Sequence, residues 1–170
     1  MLAMLALAGC SNIPTAPQRG SASTVPSGGS AQVLGLSLGG SSSTTTRSAV
    51  MGVLGGVVSI GDFTVVVPPL ALSQTAVVTV SQPDLAHAVV NLGIAPASAN
   101  GFRLPVLLVA NAKRLDPALL SMAGIDYYNP ATAQWERVAG TSVSLLNLTV
   151  SAPLMHFSTY RVSTGGKAGW

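Results

Sequence analysis

The chain has 170 residues, with 8 Lys plus Arg against 5 Asp plus Glu, so charged residues make up only 8% of it, about a third of the share in an ordinary soluble domain. The net charge of +3 and the isoelectric point near 9.5 rest on scattered residues, with Lys113-Arg114 the one adjacent basic pair. Nucleic-acid binding by phosphate neutralisation needs clustered charge and is not expected. Five scattered acids likewise offer little for a carboxylate dyad or a hard-metal site, so no cofactor, no metal and no general enzyme activity are expected.

The chain opens on Met1-Leu2-Ala3-Met4-Leu5-Ala6-Leu7-Ala8-Gly9, followed by Cys10 and Ser11. Nine non-polar residues are too few to span a bilayer, which takes about 20. An apolar run ending in small residues has the form of an export signal. Leu7-Ala8-Gly9-Cys10 resembles the bacterial lipobox, in which small residues admit the peptidase and the cysteine thiol takes the lipid. Residues 1–9 are therefore expected to be a lipoprotein signal peptide and Cys10 the lipidated residue. No basic residue precedes Cys10 and the run is short, so the true start of the signal is expected upstream. Cys10 is the sole cysteine, which rules out an intrachain disulfide.

Residues 10–54 are expected to be the lipidated cysteine and a disordered tether. Ser, Thr, Gly, Pro and Ala dominate from Ser11 to Arg47, with Ser41-Ser42-Ser43-Thr44-Thr45-Thr46 as the plainest stretch. Such a segment buries too little apolar surface to offset the entropy of ordering it. A coil of about 40 residues spans roughly 35 Å. The alternating run Val33-Leu34-Gly35-Leu36-Ser37-Leu38 is assigned to the tether as well.

Residues 55–170 read as strands. Phe63, Val65 and Val67 alternate with Thr64 and Val66, and Val78 and Val80 with Val77 and Thr79. The series continues through Val106-Leu107-Leu108-Val109, Ile125-Asp126-Tyr127-Tyr128, Gln134-Trp135-Glu136-Arg137-Val138 and Leu145-Leu146-Asn147-Leu148-Thr149-Val150. Ile60-Gly61-Asp62, Pro68-Pro69, Asn100-Gly101, Asn129-Pro130 and Ala139-Gly140 break it at intervals. Short strands at this spacing predict an all-β, antiparallel two-sheet sandwich. The one short helix expected is Asp116 to Gly124, with Asp116 as cap, Pro117 in the first turn and Gly124 past the end. Phe63, Val65, Val78, Val80, Leu107, Ile125, Trp135, Leu146, Leu148 and Phe157 are the expected interior.

Several segments, in order, resemble the ZU5 domain found in bacterial envelope lipoproteins. They are Gly55-Gly56-Val57-Val58, then Phe63-Thr64-Val65-Val66-Val67-Pro68-Pro69-Leu70-Ala71-Leu72, then Phe102-Arg103-Leu104-Pro105-Val106. Tyr127-Tyr128-Asn129 with Trp135 and finally His156-Phe157-Ser158-Thr159-Tyr160 follow. Leu70 stands where the family usually has glycine, a residue suited to positive φ. The resemblance implies a β-sandwich that binds protein partners or packs against neighbours. With the lipid signal it implies a non-enzymatic, surface-tethered binding or structural module at the cell envelope. Its expected partners are the membrane, through the N-terminal lipid, and another envelope or surface protein. Ser11 is not the aspartate that commonly signals inner-membrane retention, so the outer membrane is the expected location.

The resemblance also carries an alternative. Some ZU5 domains cut themselves between Phe and Ser of a His-Phe-Ser motif, which His156-Phe157-Ser158 matches. In an extended strand His156 and Ser158 project to one face roughly 7 Å apart, where His156 can act as base while the Ser158 hydroxyl attacks the Phe157 carbonyl. The other reading makes Phe157 a core residue and its neighbours backbone partners, which leaves no catalytic residue. His87, with no second His or Cys at ligand spacing, is expected to be structural, since zinc takes three or four such ligands. Gly165-Gly166-Lys167 lacks the rest of a phosphate loop. Tyr127, Tyr128 and Trp135 read as cross-strand packing rather than a sugar platform.

Overall fold

The computed structural model describes residues 44–165. Cys10, the expected signal and nearly all of the expected tether lie outside them, as does Lys167. Within them the strands are β1 (Thr45–Met51), β2 (Gly56–Ile60), β3 (Phe63–Val67), β4 (Ala76–Gln82), β5 (Val89–Ala95) and β6 (Val106–Asn111). The series continues with β7 (Ala123–Asn129), β8 (Gln134–Arg137), β9 (Ser142–Ser144), β10 (Thr149–Leu154) and β11 (Thr159–Thr164). A single 3-10 turn, Ala97–Ala99, and one short helix, α1 (Pro117–Leu120), complete the described elements. The strands form two antiparallel sheets, one in the order β1-β4-β5-β11-β7-β8 and the other β2-β3-β6-β10-β9. The fold is the all-β two-sheet architecture that the alternation predicts.

The core lies between the sheets, and β3, β4 and β6 build their share of it by period-two burial. Phe63, Val65 and Val67 on β3, Val78 and Val80 on β4, Val106, Leu108 and Ala110 on β6, and Ile125 on β7 all turn inward. Leu72, Leu154, Phe157, Tyr160 and Val162 join them. Asp116 caps α1 as expected, its Oδ1 accepting from Ala118 N at 2.9 Å.

Several expectations are corrected. The sandwich does not begin at residue 55. β1 pairs with β4 along its whole length, from Thr45 against Gln82 to Met51 against Ala76, so residues 45–54 belong to the domain rather than to the tether. Leu107 is exposed and Leu108 buried, because Val106 and Leu108 take the inward phase of β6. Leu146 is 92% exposed in the turn between β9 and β10; Trp135 and Leu148 are half-buried. Gly124 does not close α1 but lies within β7, where the Arg137 guanidinium occupies the space a Cβ would take. Leu70 adopts φ of 69°: the turn keeps the left-handed geometry for which glycine is suited, with a leucine in it.

Candidate functional site

The His-Phe-Ser segment joins β10 to β11. Met155–Ser158 is not a strand but a bend between Leu154 and Thr159, so the extended geometry expected for His156 and Ser158 is not met. An amide 57 residues away in sequence holds the bend. Asn100, just after the 3-10 turn, accepts from Phe157 N through Oδ1 at 2.6 Å and donates from Nδ2 to Phe157 O at 3.1 Å. A side-chain amide that satisfies both backbone groups of one residue does what a neighbouring strand would do. Phe102 N donates to Met155 O, and Leu92 N to Ser158 O, which ties the segment to both sides.

The motif's side chains go to separate partners. Phe157 is buried and packs edge-on against Phe102, with ring centroids 4.7 Å apart. The Ser158 hydroxyl donates to Tyr128 O at 3.2 Å. His156 is exposed, its ring edge-on to Tyr127 at 5.7 Å, and its carbonyl accepts from the Tyr160 hydroxyl at 2.6 Å. Burial raises the Tyr160 phenol far above its ordinary value, helped by the nearby Tyr127, so it stays a neutral donor. His156 and Ser158 are therefore brought into one bend but not onto each other.

Beside this bend lies an open groove of about 450 Å³, lined among others by Pro105, Tyr127, Val138, Pro153, Met155 and His156. Its size and largely apolar wall fall within the usual range of ligand sites. On its rim, Glu136 accepts from the Tyr127 hydroxyl at 2.5 Å, Asn129 Nδ2 at 2.7 Å and Thr132 Oγ1 at 3.2 Å. The Tyr127 bond, then that of Asn129, holds the Glu136 carboxyl below its ordinary value. The same bond raises the Tyr127 phenol. Three donors leave this carboxylate as a fixed acceptor rather than a free base.

The same strands carry a second polar cluster, whose Arg137 also lines the groove. Asp126, 5% exposed, is met by Arg137 Nε at 2.7 Å, Arg161 Nε at 3.2 Å and the Ser163 hydroxyl at 2.5 Å. A buried carboxylate needs such pairing to remain charged. Arg161 also lies over the Trp135 ring, 4.4 Å from its centroid, and Trp135 meets Tyr128 edge-on at 5.5 Å. The three aromatics expected to pack together are thus split: Tyr128 and Trp135 pair across β7 and β8, while Tyr127 faces the groove.

His87 is exposed, with Nδ1 at 2.5 Å from Asp84 Oδ2. The Ala86 N–H, then His87, holds the Asp84 carboxyl below its ordinary value. Among the described residues no three His, Cys, Asp or Glu side chains group as a metal site, and no helix is long and apolar enough to cross a membrane. The residue that sequence reasoning missed is Asn100. Asn100-Gly101 carries only a turn signal, and its partner lies 57 residues away. No protein-family model matches the chain, and no curated protein matches it.

Proposed function

We propose that the chain is a non-enzymatic lipoprotein, tethered through Cys10 at the cell envelope, whose ZU5-like sandwich is a binding or structural module. The outer membrane is its location where the host has one. The groove beside His156 is the surface on which it meets another envelope or surface protein. The observation that carries the non-enzymatic reading is the commitment of the His-Phe-Ser bend: Asn100 pairs with Phe157, Ser158 bonds Tyr128 O, and Tyr160 bonds His156 O. Two of the five acids support it, because Asp126 and Glu136 are each held by three partners. The lipid anchor rests on the Leu7-Ala8-Gly9-Cys10 run, and the module class on the resemblance together with an all-β sandwich.

One observation favours the alternative of self-processing. Asn100 Nδ2 stands 3.1 Å from Phe157 O, where a donor would stabilise the oxyanion of an attack on that carbonyl. In such a reaction Ser158 Oγ forms an ester with the Phe157 carbonyl as the C–N bond breaks. The proton passes to the freed amine, and water then hydrolyses the ester. The bond from Ser158 to Tyr128 O argues against it, since the hydroxyl would have to leave that partner to reach His156. Membrane fractionation of wild type beside Cys10→Ser tests the main reading. Wild type in the membrane fraction and the variant released is the expected result; membrane association that survives the substitution contradicts the anchor.

A further inference from the structure

The end of the sandwich where β1 turns into β2 is largely apolar and exposed. Val53 and Leu54 form the turn and are 50% and 85% exposed. Leu70, 64% exposed, comes from the loop after β3 and donates its N–H to Val53 O at 2.7 Å, which sets the two loops side by side. Val50 on β1 pairs with Val77 on β4, and both are exposed behind the turn. No charged residue occurs in residues 48–61 or 63–83; the cation beside them is the exposed Arg103, whose backbone N–H donates to Ala71 O at 3.0 Å.

Leu70 is the informative residue. It holds φ of 69°, a conformation that strains any residue with a Cβ and that glycine adopts freely. Ala133 and Leu148 hold positive φ as well, at 53° and 50°; Leu70 differs in that a large aliphatic side chain, 64% exposed, stands there beside other exposed aliphatics. Gly55, at φ of 68° with Val67 O lying 2.1 Å from where a Cβ would stand, has the residue that such a position demands. The fold therefore distinguishes a left-handed site that needs glycine from one that holds an exposed leucine.

We propose that this tip is a membrane-contact surface that seats Val53, Leu54 and Leu70 at the boundary between lipid head groups and acyl chains, an inference that rests on the lipid-anchor reading. Three features select a bilayer as the occupant. The patch holds about five aliphatic side chains, well short of the 20–30 residues per side of a stable protein–protein interface, so a second copy or a folded partner would gain little from it. Its aliphatic side chains gain by entering the interface on their own, and the Arg103 cation beside them suits anionic head groups. The length and attachment of the chain outside the structure also fit. About 33 residues (11–43) separate Cys10 from the described chain, and a chain of that length can reach at most about 110 Å. They join β1 at Thr45, and the tip lies at the other end of that strand, about 20 Å away. An anchored domain can therefore lay the tip on the membrane that holds it, and tethering makes a weak contact effectively intramolecular.

The test uses the full chain and its sole cysteine. Cys10 is coupled chemically to a maleimide lipid in vesicles of phosphatidylethanolamine and phosphatidylglycerol, or to maleimide-poly(ethylene glycol) in solution, and amide hydrogen exchange is compared. The expected result is several-fold slower exchange at residues 52–55 and 69–71 on vesicles than on the polymer, with no change at the Leu145-Leu146 turn. Leu54→Asp, and separately Leu70→Gly, should abolish the difference while melting as wild type or above. Equal exchange on the two supports overturns the proposal. Protection that appears on the polymer and grows with protein concentration overturns it in favour of self-association. Because the coupling is chemical, failure here leaves the anchoring of Cys10 in cells untouched; the fractionation of Cys10→Ser tests that separately.

Discussion

Replacing Asn100 with Ala removes both bonds that pair its amide with Phe157 and leaves a backbone N–H and C=O without their partner. A neutral hydrogen bond contributes about 0.5–1.5 kcal/mol net, and a buried group left unpaired costs about 1–3 kcal/mol. The bonds are part-buried, so water can reach some of what is exposed, and the expected loss for the pair is about 2–3 kcal/mol. That is a large fraction of the 5–15 kcal/mol typical of a domain. The substitution also loosens the backbone that seats the Phe157 ring against Phe102. Equilibrium urea unfolding should show a lower midpoint with an unchanged slope, the signature of lost stability without a new denatured state. Asn100→Asp keeps the acceptor for Phe157 N but sets a second carboxylate oxygen against Phe157 O, so it should destabilise as well. A loss below about 0.5 kcal/mol for Asn100→Ala would refute the claim that this amide holds the His-Phe-Ser bend.

Leu70→Gly should leave stability within about 0.5 kcal/mol of wild type by thermal melting: relief of a left-handed residue, worth about 1–2 kcal/mol, is offset by the extra freedom of the unfolded chain and the covered third of the side chain. A loss above about 1 kcal/mol would show that Leu70 serves the core. Asp126→Ala should cost about 2–4 kcal/mol by denaturant titration, because it strands Arg161, whose side chain is 14% exposed, with the Arg137 arm discounted for its exposure; a neutral result would contradict the cluster's role. Glu136, held below its ordinary 4.5 by Tyr127 and Asn129, contributes stability that is complete above that value and lost as pH falls through the lower folded value. In an NMR titration Tyr127→Phe should return the Glu136 carboxyl toward 4.5, and an unmoved titration would remove Tyr127 as the cause.

What the sequence disclosed follows from how strongly each segment's burial is phased. β3 and β4 carry alternation that admits one inward set, and Phe63, Val65, Val78 and Val80 are all buried. Val106-Leu107-Leu108-Val109 is apolar at every position, so nothing in it chooses between the two faces, and Leu107 falls on the outer one. β1 escaped notice because Thr45-Thr46-Arg47-Ser48 is polar: an edge strand needs partners on one side, and Met51 is the β1 residue that reaches full burial. The helix cap at Asp116 was legible because it is a local bond. The apparent closing glycine, Gly124, is explained by Arg137, thirteen residues on in sequence and beside it across β7 and β8. At the site, His156, Phe157 and Ser158 stood out as a motif, but what distinguishes a hydrolytic arrangement from a structural one is the pairing with Asn100 and Tyr128, which only the folded chain brings near.

The central claim is that the His-Phe-Ser bend is a structural junction and the protein does not process itself. Denaturing intact-mass analysis of the exported protein, incubated for days beside Ser158→Ala, tests it most directly, because a cut chain held by strand pairing still separates. The account predicts one unbroken species for both proteins, beginning at a lipid-modified Cys10. A wild-type fragment beginning at Ser158, absent from the variant, would contradict it and make the motif a self-cleavage site.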